Sequence, residues 1–178
     1  MKKFLAIVLA ALMLLSIAAC TGNNTPVTPD EPEVIEEGKV FNIYCWNTEY
    51  KRFFDKYITG EAGLNDNGTP DDYSDDSDFW DGAIGVPEGV TVNWVINPSD
   101  GGVYQQKLDE ALLNQDSAPA DEKIDMFLAE ADYILKYVES DYTAGIDTIG
   151  FTNPDTMYDY TIDACTDMAT GVVKGMSF

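Results

Sequence analysis

The chain has 178 residues, enough for one domain with a hydrophobic core. Its 32 acidic residues outnumber its 10 basic ones, and it has no histidine, so its formal net charge at pH 7 is −22. Nucleic acid is excluded as an expected partner, because phosphate binding needs a basic surface. The lack of histidine excludes Ser-His-Asp and Cys-His catalysis and removes the commonest zinc ligand.

The first 19 residues are predicted to be a lipoprotein signal peptide. Lys2 and Lys3 precede an apolar run over residues 4–15, which is too short to span a bilayer permanently. The junction Ile-Ala-Ala-Cys at residues 17–20 resembles the lipobox of bacterial lipoproteins. We therefore expect Cys20 to carry a lipid that anchors the chain at the cell membrane, on the extracellular face or the periplasmic side.

Residues 20–38 are predicted to form a disordered tether. This stretch contains three prolines and five acidic residues and has little apolar surface to bury. The ordered domain is expected to cover residues 39–178.

The domain shows strands that alternate with helices. Short apolar runs predict strands over residues 40–46, 90–96, 123–128 and 171–178. Helices are predicted from the stripe Tyr50, Phe53, Phe54 and Tyr57, the stripe Tyr104, Leu108, Ala111 and Leu112, residues 131–138, and a last segment capped by Asn153 with Pro154 at its first position. This order indicates an α/β fold with a mainly parallel sheet and flanking helices.

The two cysteines of the domain leave two alternatives open. Cys45 lies in the first predicted strand and Cys165 in the last predicted helix. An exported protein can join such residues in a disulfide. Cysteine also packs as a small buried hydrophobic residue, so two free thiols are the other reading.

The acidic segment, residues 65–78, also has two readings. Its Asp and Asn side chains offer many oxygen ligands, and its Asp-x-Asn-Gly start is similar to calcium loops. It lacks the full spacing of an EF-hand and the closing glutamate. We therefore expect a solvated acidic loop without a metal, and we expect no cofactor.

Two segments resemble a known family. Residues 40–47 (VFNIYCWN) and 125–133 (DMFLAEADY), continued by Lys136-Tyr137-Val138 and residues 140–143 (SDYT), are similar to the sugar-type extracellular solute-binding proteins of bacterial ABC importers. The likeness covers residues 39–60 and 89–178. It implies two α/β lobes of the periplasmic-binding-protein type that close on a mono- or oligosaccharide. The second lobe would follow the last residue of this chain, so a truncated protein with the N-terminal lobe alone is expected.

The resemblance also implies which residues bind the ligand. They follow the first and third strands, at the end of a parallel sheet where ligands usually bind. The implied ligand-binding residues are Trp46, Asn47, Glu49, Glu130, Ala131 and Asp132. ABC permease subunits and, through the lipid, the membrane are the other implied partners.

The sequence and the family resemblance lead us to consider three functions. The first is the carbohydrate-binding component of an ABC importer. The second is a surface-displayed interaction or calcium-binding lipoprotein without a transport role. An enzyme such as a glycoside hydrolase is not expected, since no pair of carboxylates is marked by its spacing.

Lipidation can be tested directly. Metabolic labelling with a palmitate analogue should mark the wild-type chain and leave the Cys20→Ala variant unlabelled, because the thiol is the attachment atom. In-gel fluorescence of the membrane fraction provides the measurement. Equal labelling of the two chains would contradict the lipobox interpretation.

Overall fold

The computed structural model describes residues 38–152 and 156–177. The signal peptide over residues 1–19, Cys20 and most of the tether lie outside the described residues. So do Asn153 and Pro154, the expected start of the last helix, and the final residue. Within the described ranges, no helix is both long and apolar enough to cross a membrane.

A three-stranded parallel sheet forms the centre of the domain. Its strands are β1 (Val40–Cys45), β2 (Thr91–Ile96) and β3 (Met126–Phe127), in the spatial order β2-β1-β3. Val40 pairs with Thr91, and Ile43 pairs with both Trp94 and Met126. The predicted α/β class with a parallel sheet is therefore confirmed.

The helices are short, and most follow a strand. They are α1 (Glu49–Phe54), α2 (Val103–Leu113), α3 (Leu135–Val138) and α4 (Asp159–Ala164). A π-helical turn, Asp55–Thr59, extends α1 and ends at Gly60, whose φ of 74° is left-handed. Strand β1 is central and its Ile43 and Cys45 are fully buried. That position explains the continuous apolar run of its sequence.

The main core lies between α2 and the sheet. Tyr104, Leu108 and Leu112 from α2 pack with Ile124 and Tyr137, and Tyr44, Trp46 and Phe127 cover the cluster. The hydroxyl of Tyr104 lies 2.5 Å from the carbonyl oxygen of Leu128 and 3.1 Å from that of Tyr44. This one side chain thus links α2 to the ends of β1 and β3.

The aromatic residues of α1 pack against Trp94 of β2, which is not part of the core below α2. Trp94 of β2 meets Phe54 edge-on at 5.4 Å between ring centroids and Tyr50 at 6.3 Å. Trp94 is in register with Ile43, whereas the core below α2 contains Tyr44, one residue further along β1. Since successive side chains of a strand point to opposite faces, α1 and α2 cover opposite faces of the sheet.

Asn42 connects β1 to both of its neighbours. Its side-chain amide donates to the carbonyl oxygens of Asp121 at 2.9 Å and Lys123 at 2.8 Å, and its Oδ1 accepts from Asn93 Nδ2 at 2.8 Å. Its backbone amide donates to Asp125 Oδ2 at 2.8 Å. The residue is only 4 % exposed, so these partners replace the water that it loses on folding.

The third strand is much shorter than the predicted range 123–128. Asn42 binds the carbonyl of Lys123, and Gln115 binds both backbone groups of Ile124, through Nε2 at 2.8 Å and Oε1 at 2.9 Å. Side chains thus take the backbone groups that a longer strand would use in its ladder. Only Met126 and Phe127 remain paired with β1.

The predicted elements after β3 are also corrected. The helix predicted over residues 131–138 reaches only Leu135–Val138, because a turn in which the Tyr133 amide donates to Glu130 O comes first. The strand predicted over residues 171–178 is absent from the described part of that range. Val173 forms only an isolated antiparallel bridge with Thr166, after Gly171 turns the backbone at φ 74°.

The structure decides between a disulfide and two free thiols. Cys45 and Cys165 are both buried and both free, so they do not form a disulfide with each other. Burial raises the pKa of each thiol.

Replacement of Asn42 by leucine should destabilise the sheet. Two carbonyl groups and the Asn93 amide would lose their partner in a buried position, and each such loss costs about 1–3 kcal/mol. We expect the free energy of unfolding in urea to fall by about 2–4 kcal/mol. The matched Asn114→Leu variant, at an exposed site, should lose less than about 1 kcal/mol. Equal losses in the two variants would contradict this role.

Candidate functional site

The first predicted binding segment leaves the sheet directly after β1. Trp46 is half-buried, and its ring meets Tyr104 edge-on with 5.5 Å between centroids. Asn47 is exposed, and its Oδ1 accepts a hydrogen bond from the backbone amide of Glu49 at 3.0 Å. Glu49 is exposed as the first residue of α1, where the positive end of the helix favours an acid.

The second predicted binding segment follows β3. Glu130, Ala131 and Asp132 are all exposed, in the turn that precedes α3. Burial raises the pKa of the neighbouring Tyr133 hydroxyl, and the charges of Glu130 and Asp132 add to this effect. These residues therefore present an acidic surface beside a partly buried phenol.

The sheet topology brings the two segments to one edge. The Leu128 amide donates to Tyr44 O at 2.9 Å, and the Asn97 amide donates to Cys45 O at 2.9 Å, so β1, β2 and β3 end at the same level. We call this end of the sheet the carboxyl edge. Trp46 follows β1 by one residue and Glu130 follows β3 by three residues, on neighbouring parallel strands.

A cleft beside α1 was not predicted from the sequence. It has a volume of about 490 Å³ and lies between α1 with its π-turn and the start of the acidic segment. Arg52, Phe53 and Lys56 line one side, and residues 64–67 with Ser77 line the other. We call it the basic cleft. The sequence feature that could have indicated the cleft is a set of basic residues between the aromatic residues of α1. Many acidic residues follow this set in the chain.

Arg52 fixes the acidic segment onto α1. Its Nη2 lies 2.7 Å from Asp76 Oδ1, and its Nε lies 3.5 Å from Asp66 Oδ2. The second oxygen of Asp76 accepts from the Gly63 amide at 2.7 Å. A Cβ on Gly63 would lie 2.5 Å from Ser77 O, so only glycine permits this approach. Most residues of the segment are exposed, as expected of a solvated loop, but Asp76 is anchored to α1.

A second polar cluster supports the same contact. Asp55, which is 3 % exposed, binds both Lys51 Nζ and the hydroxyl of Tyr73, and these two partners lie 3.0 Å apart. Burial lowers the pKa of Lys51, but the bonds to Asp55 and Tyr73 outweigh it, so that pKa is raised. Burial, with the charge of Asp55, raises the pKa of Tyr73.

The acidic side chains of the loop bind protein groups. Asp75 accepts from Thr69, Asp78 from Asn65, Asp72 from Ser74, and Asp66 from the Gly68 amide. Among residues 38–152 and 156–177, no three His, Cys, Asp or Glu side chains are grouped so that they could hold a metal ion. Within these ranges, the side chains therefore give no support to the hypothesis of a calcium site.

Comparisons with known proteins identify no relative. No protein-family model matches the chain, no curated protein matches it, and no solved structure matches it.

The stability of the domain should depend on the ionisation of Asp76. Burial raises the pKa of Asp76, but bonds from Arg52 and Gly63 outweigh it, so the pKa lies below the ordinary value of 3.8. The unfolded chain then binds more protons in acid. The stabilisation is complete well above that ordinary value and is lost as the pH falls through the folded pKa.

We expect Asp76→Asn to be less stable than the wild type at pH 7 and to lose less of its stability in acid. Urea unfolding between about pH 6 and pH 2 measures both effects. Asp71→Asn, an exposed change of the same kind, should follow the wild-type curve. Identical pH profiles for Asp76→Asn and the wild type would contradict the assignment.

Proposed function

We propose that this chain is the lipid-anchored carbohydrate-binding component of an ABC importer. Residues 39–178 would be the N-terminal lobe of a periplasmic-binding-protein-like fold. The observation that supports this proposal best is the placement of two polar segments, beginning at Trp46 and Glu130, at the carboxyl edge of one parallel sheet. In open α/β sheets, ligands bind at that edge.

The chemistry of these residues suits a sugar. The face of an indole such as Trp46 can stack on the C–H surface of a pyranose ring. Exposed amide and carboxylate groups of Asn47, Glu49, Glu130 and Asp132 can bind hydroxyl groups. We assign these residues to binding and none of them to catalysis.

One lobe presents only one wall to its ligand. Each hydrogen bond to a sugar hydroxyl contributes about 1 kcal/mol after water is displaced. Association costs about 4 kcal/mol or more in lost freedom of motion. We therefore propose a dissociation constant near millimolar, or about −4 kcal/mol, for the lobe alone.

The proposed location follows from the leader sequence. A lipid on Cys20 and a tether over residues 20–38 would hold the domain outside the cytoplasmic membrane, near the permease subunits. The net charge of −22 disfavours direct docking of the domain to anionic lipid, so the acyl chains would supply the membrane affinity.

A surface-displayed interaction module is the second candidate. It is favoured by exposed aromatic side chains after the acidic segment, since Phe79 is 55 % exposed and Trp80 is 42 % exposed. Exposed aromatics are enriched in protein interfaces. This candidate predicts no sugar binding at the carboxyl edge.

Calorimetry and NMR titration of the exported full chain, purified in detergent, test the main proposal. A panel of mono- and oligosaccharides should include one that binds near millimolar and shifts the Trp46 and Glu130 signals. Glu130→Gln should weaken that binding about threefold to tenfold, because it removes one charged acceptor. Trp46→Ala should weaken it further, with loss of the stacking surface.

Two controls make the result specific. Trp80→Ala removes an exposed aromatic that packs against Tyr57, away from the carboxyl edge, and should leave the affinity unchanged. Circular dichroism checks that each variant is folded. Sugar binding that survives both Trp46→Ala and Glu130→Gln, or a panel without any binding sugar, would reject the proposed site.

A further inference from the structure

The basic cleft contains a buried cation that the protein satisfies incompletely. Arg52 is 7 % exposed, and its Nη2 and Nε face Asp76 and Asp66. Its Nη1 is buried and has no hydrogen-bond partner among the described residues. A buried N–H group without an acceptor is costly, so an oxygen supplied by a ligand at this position would be stabilising.

The second cation of the cleft is Lys56. It is 8 % exposed, and its Nζ lies over the rings of Tyr57 at 4.8 Å and Phe53 at 5.2 Å. Within residues 38–152 and 156–177, no carboxylate lies within 4.0 Å of it. Five other described bases do pair with acids, and the two that do not, Lys39 and Lys123, are less buried than Lys56. The paired bases are Lys51, Arg52, Lys107, Lys136 and Lys174.

A buried lysine without an ion pair is notable because acids are so abundant. The chain has 32 acidic residues, and the acidic segment borders the same cleft. A buried ammonium group is normally paired, because its desolvation is expensive. Here aromatic faces alone hold it, which leaves its charge available to an anion in the cleft.

The other residues that line the cleft indicate which chemical groups the ligand has besides its negative charge. Asn65, Asn67 and Ser77 offer amide and hydroxyl groups, and Asp66, with 39 % of its side chain exposed, offers carboxylate oxygens. Phe53 is 44 % exposed and provides an apolar ring surface. The volume of about 490 Å³ is within the range of small-molecule sites.

We propose that the basic cleft binds a small hydroxylated carboxylate, with a hexuronic acid as the representative ligand. The ligand carboxylate would accept from Lys56 Nζ and, once the side chains that cover it shift, from Arg52 Nη1. Its hydroxyls would meet Asp66 and the amides of the loop, and its ring would lie against Phe53. Because Asp66 faces the same space, a single negative charge is favoured over a dianion such as phosphate.

This site is separate from the carboxyl edge. None of the residues that line the basic cleft belongs to the ligand-binding set proposed for the edge. The inference therefore goes beyond the proposed function and does not depend on it.

The test uses three probes on the full chain in detergent: D-glucuronate, D-glucose and acetate. Two-dimensional NMR should show that glucuronate shifts the amide signals of Phe53 and Ser77. Glucose, which lacks the carboxylate, and acetate, which lacks the hydroxyls, should each bind at least about tenfold more weakly. Raised salt should weaken glucuronate binding, because part of the affinity is electrostatic.

Lys56→Met is the decisive variant. Methionine keeps the apolar stem over Phe53 and Tyr57 and removes an unpaired buried charge, so the thermal midpoint should not fall. Glucuronate affinity should fall at least about tenfold. Lys107→Met makes the same change of charge on the exposed face of α2 and should leave the affinity unaltered.

Each outcome of these titrations either supports or contradicts binding at the basic cleft. Unchanged glucuronate binding by Lys56→Met would overturn the proposal, as would equal shifts with glucose or no shift at about 20 mM glucuronate. Glucuronate shifts at Trp46 and Glu130 alone would reject this cleft while supporting the edge site. Shifts at Phe53 and Ser77 with no neutral sugar at the edge would support this cleft and reject the proposed function.

Discussion

The buried hydrogen bonds of Asn42 hold the three strands in register. An asparagine side chain has two donor hydrogens and one acceptor oxygen, and here it binds Asp121, Lys123 and Asn93 on both sides of β1. Strand β3 has only two residues, so its backbone ladder alone is a weak attachment. The network therefore helps to place the segment that follows β3, together with the bonds of Leu128 to Tyr44 and Tyr104.

Arg52 has a similar role on the other face of the sheet. Its bonds to Asp76 and Asp66 connect α1 to a long acidic loop that has little apolar surface to bury. Without such a cation, the carboxylates of that loop would repel one another and favour extension. The distribution of ten bases among 32 acids is thus structurally important, because Arg52, with the cluster of Lys51, Asp55 and Tyr73, holds the loop against α1.

The sequence predicted those strands and helices whose positions depend on a local hydrophobic pattern. The apolar run of β1 and the helical stripe of α2 were located to within about one residue, since burial on both faces or on one stripe leaves a clear periodicity. The predicted lengths of β3 and α3 and the predicted strand over residues 171–178 were wrong. Strand β3 is short because distant side chains, Asn42 and Gln115, take over the backbone groups of residues 123–124. A turn at Glu130 delays the start of α3, and Gly171 turns the backbone where the last strand was expected. The placement of Trp46 and Glu130 at one edge follows from parallel pairing, whereas the basic cleft depends on a contact between α1 and the acidic segment that no local pattern records.

The two free thiols have a further consequence for how the chain withstands an oxidising environment. Oxidants attack the thiolate form, and burial both raises the pKa of Cys45 and Cys165 and shields their sulfur atoms. Protection therefore exists only after folding, because the unfolded chain exposes both residues. In an oxidising environment, formation of the core around Ile43 would therefore compete with oxidation of the two thiols, and rapid formation of the central strand would favour the undamaged protein.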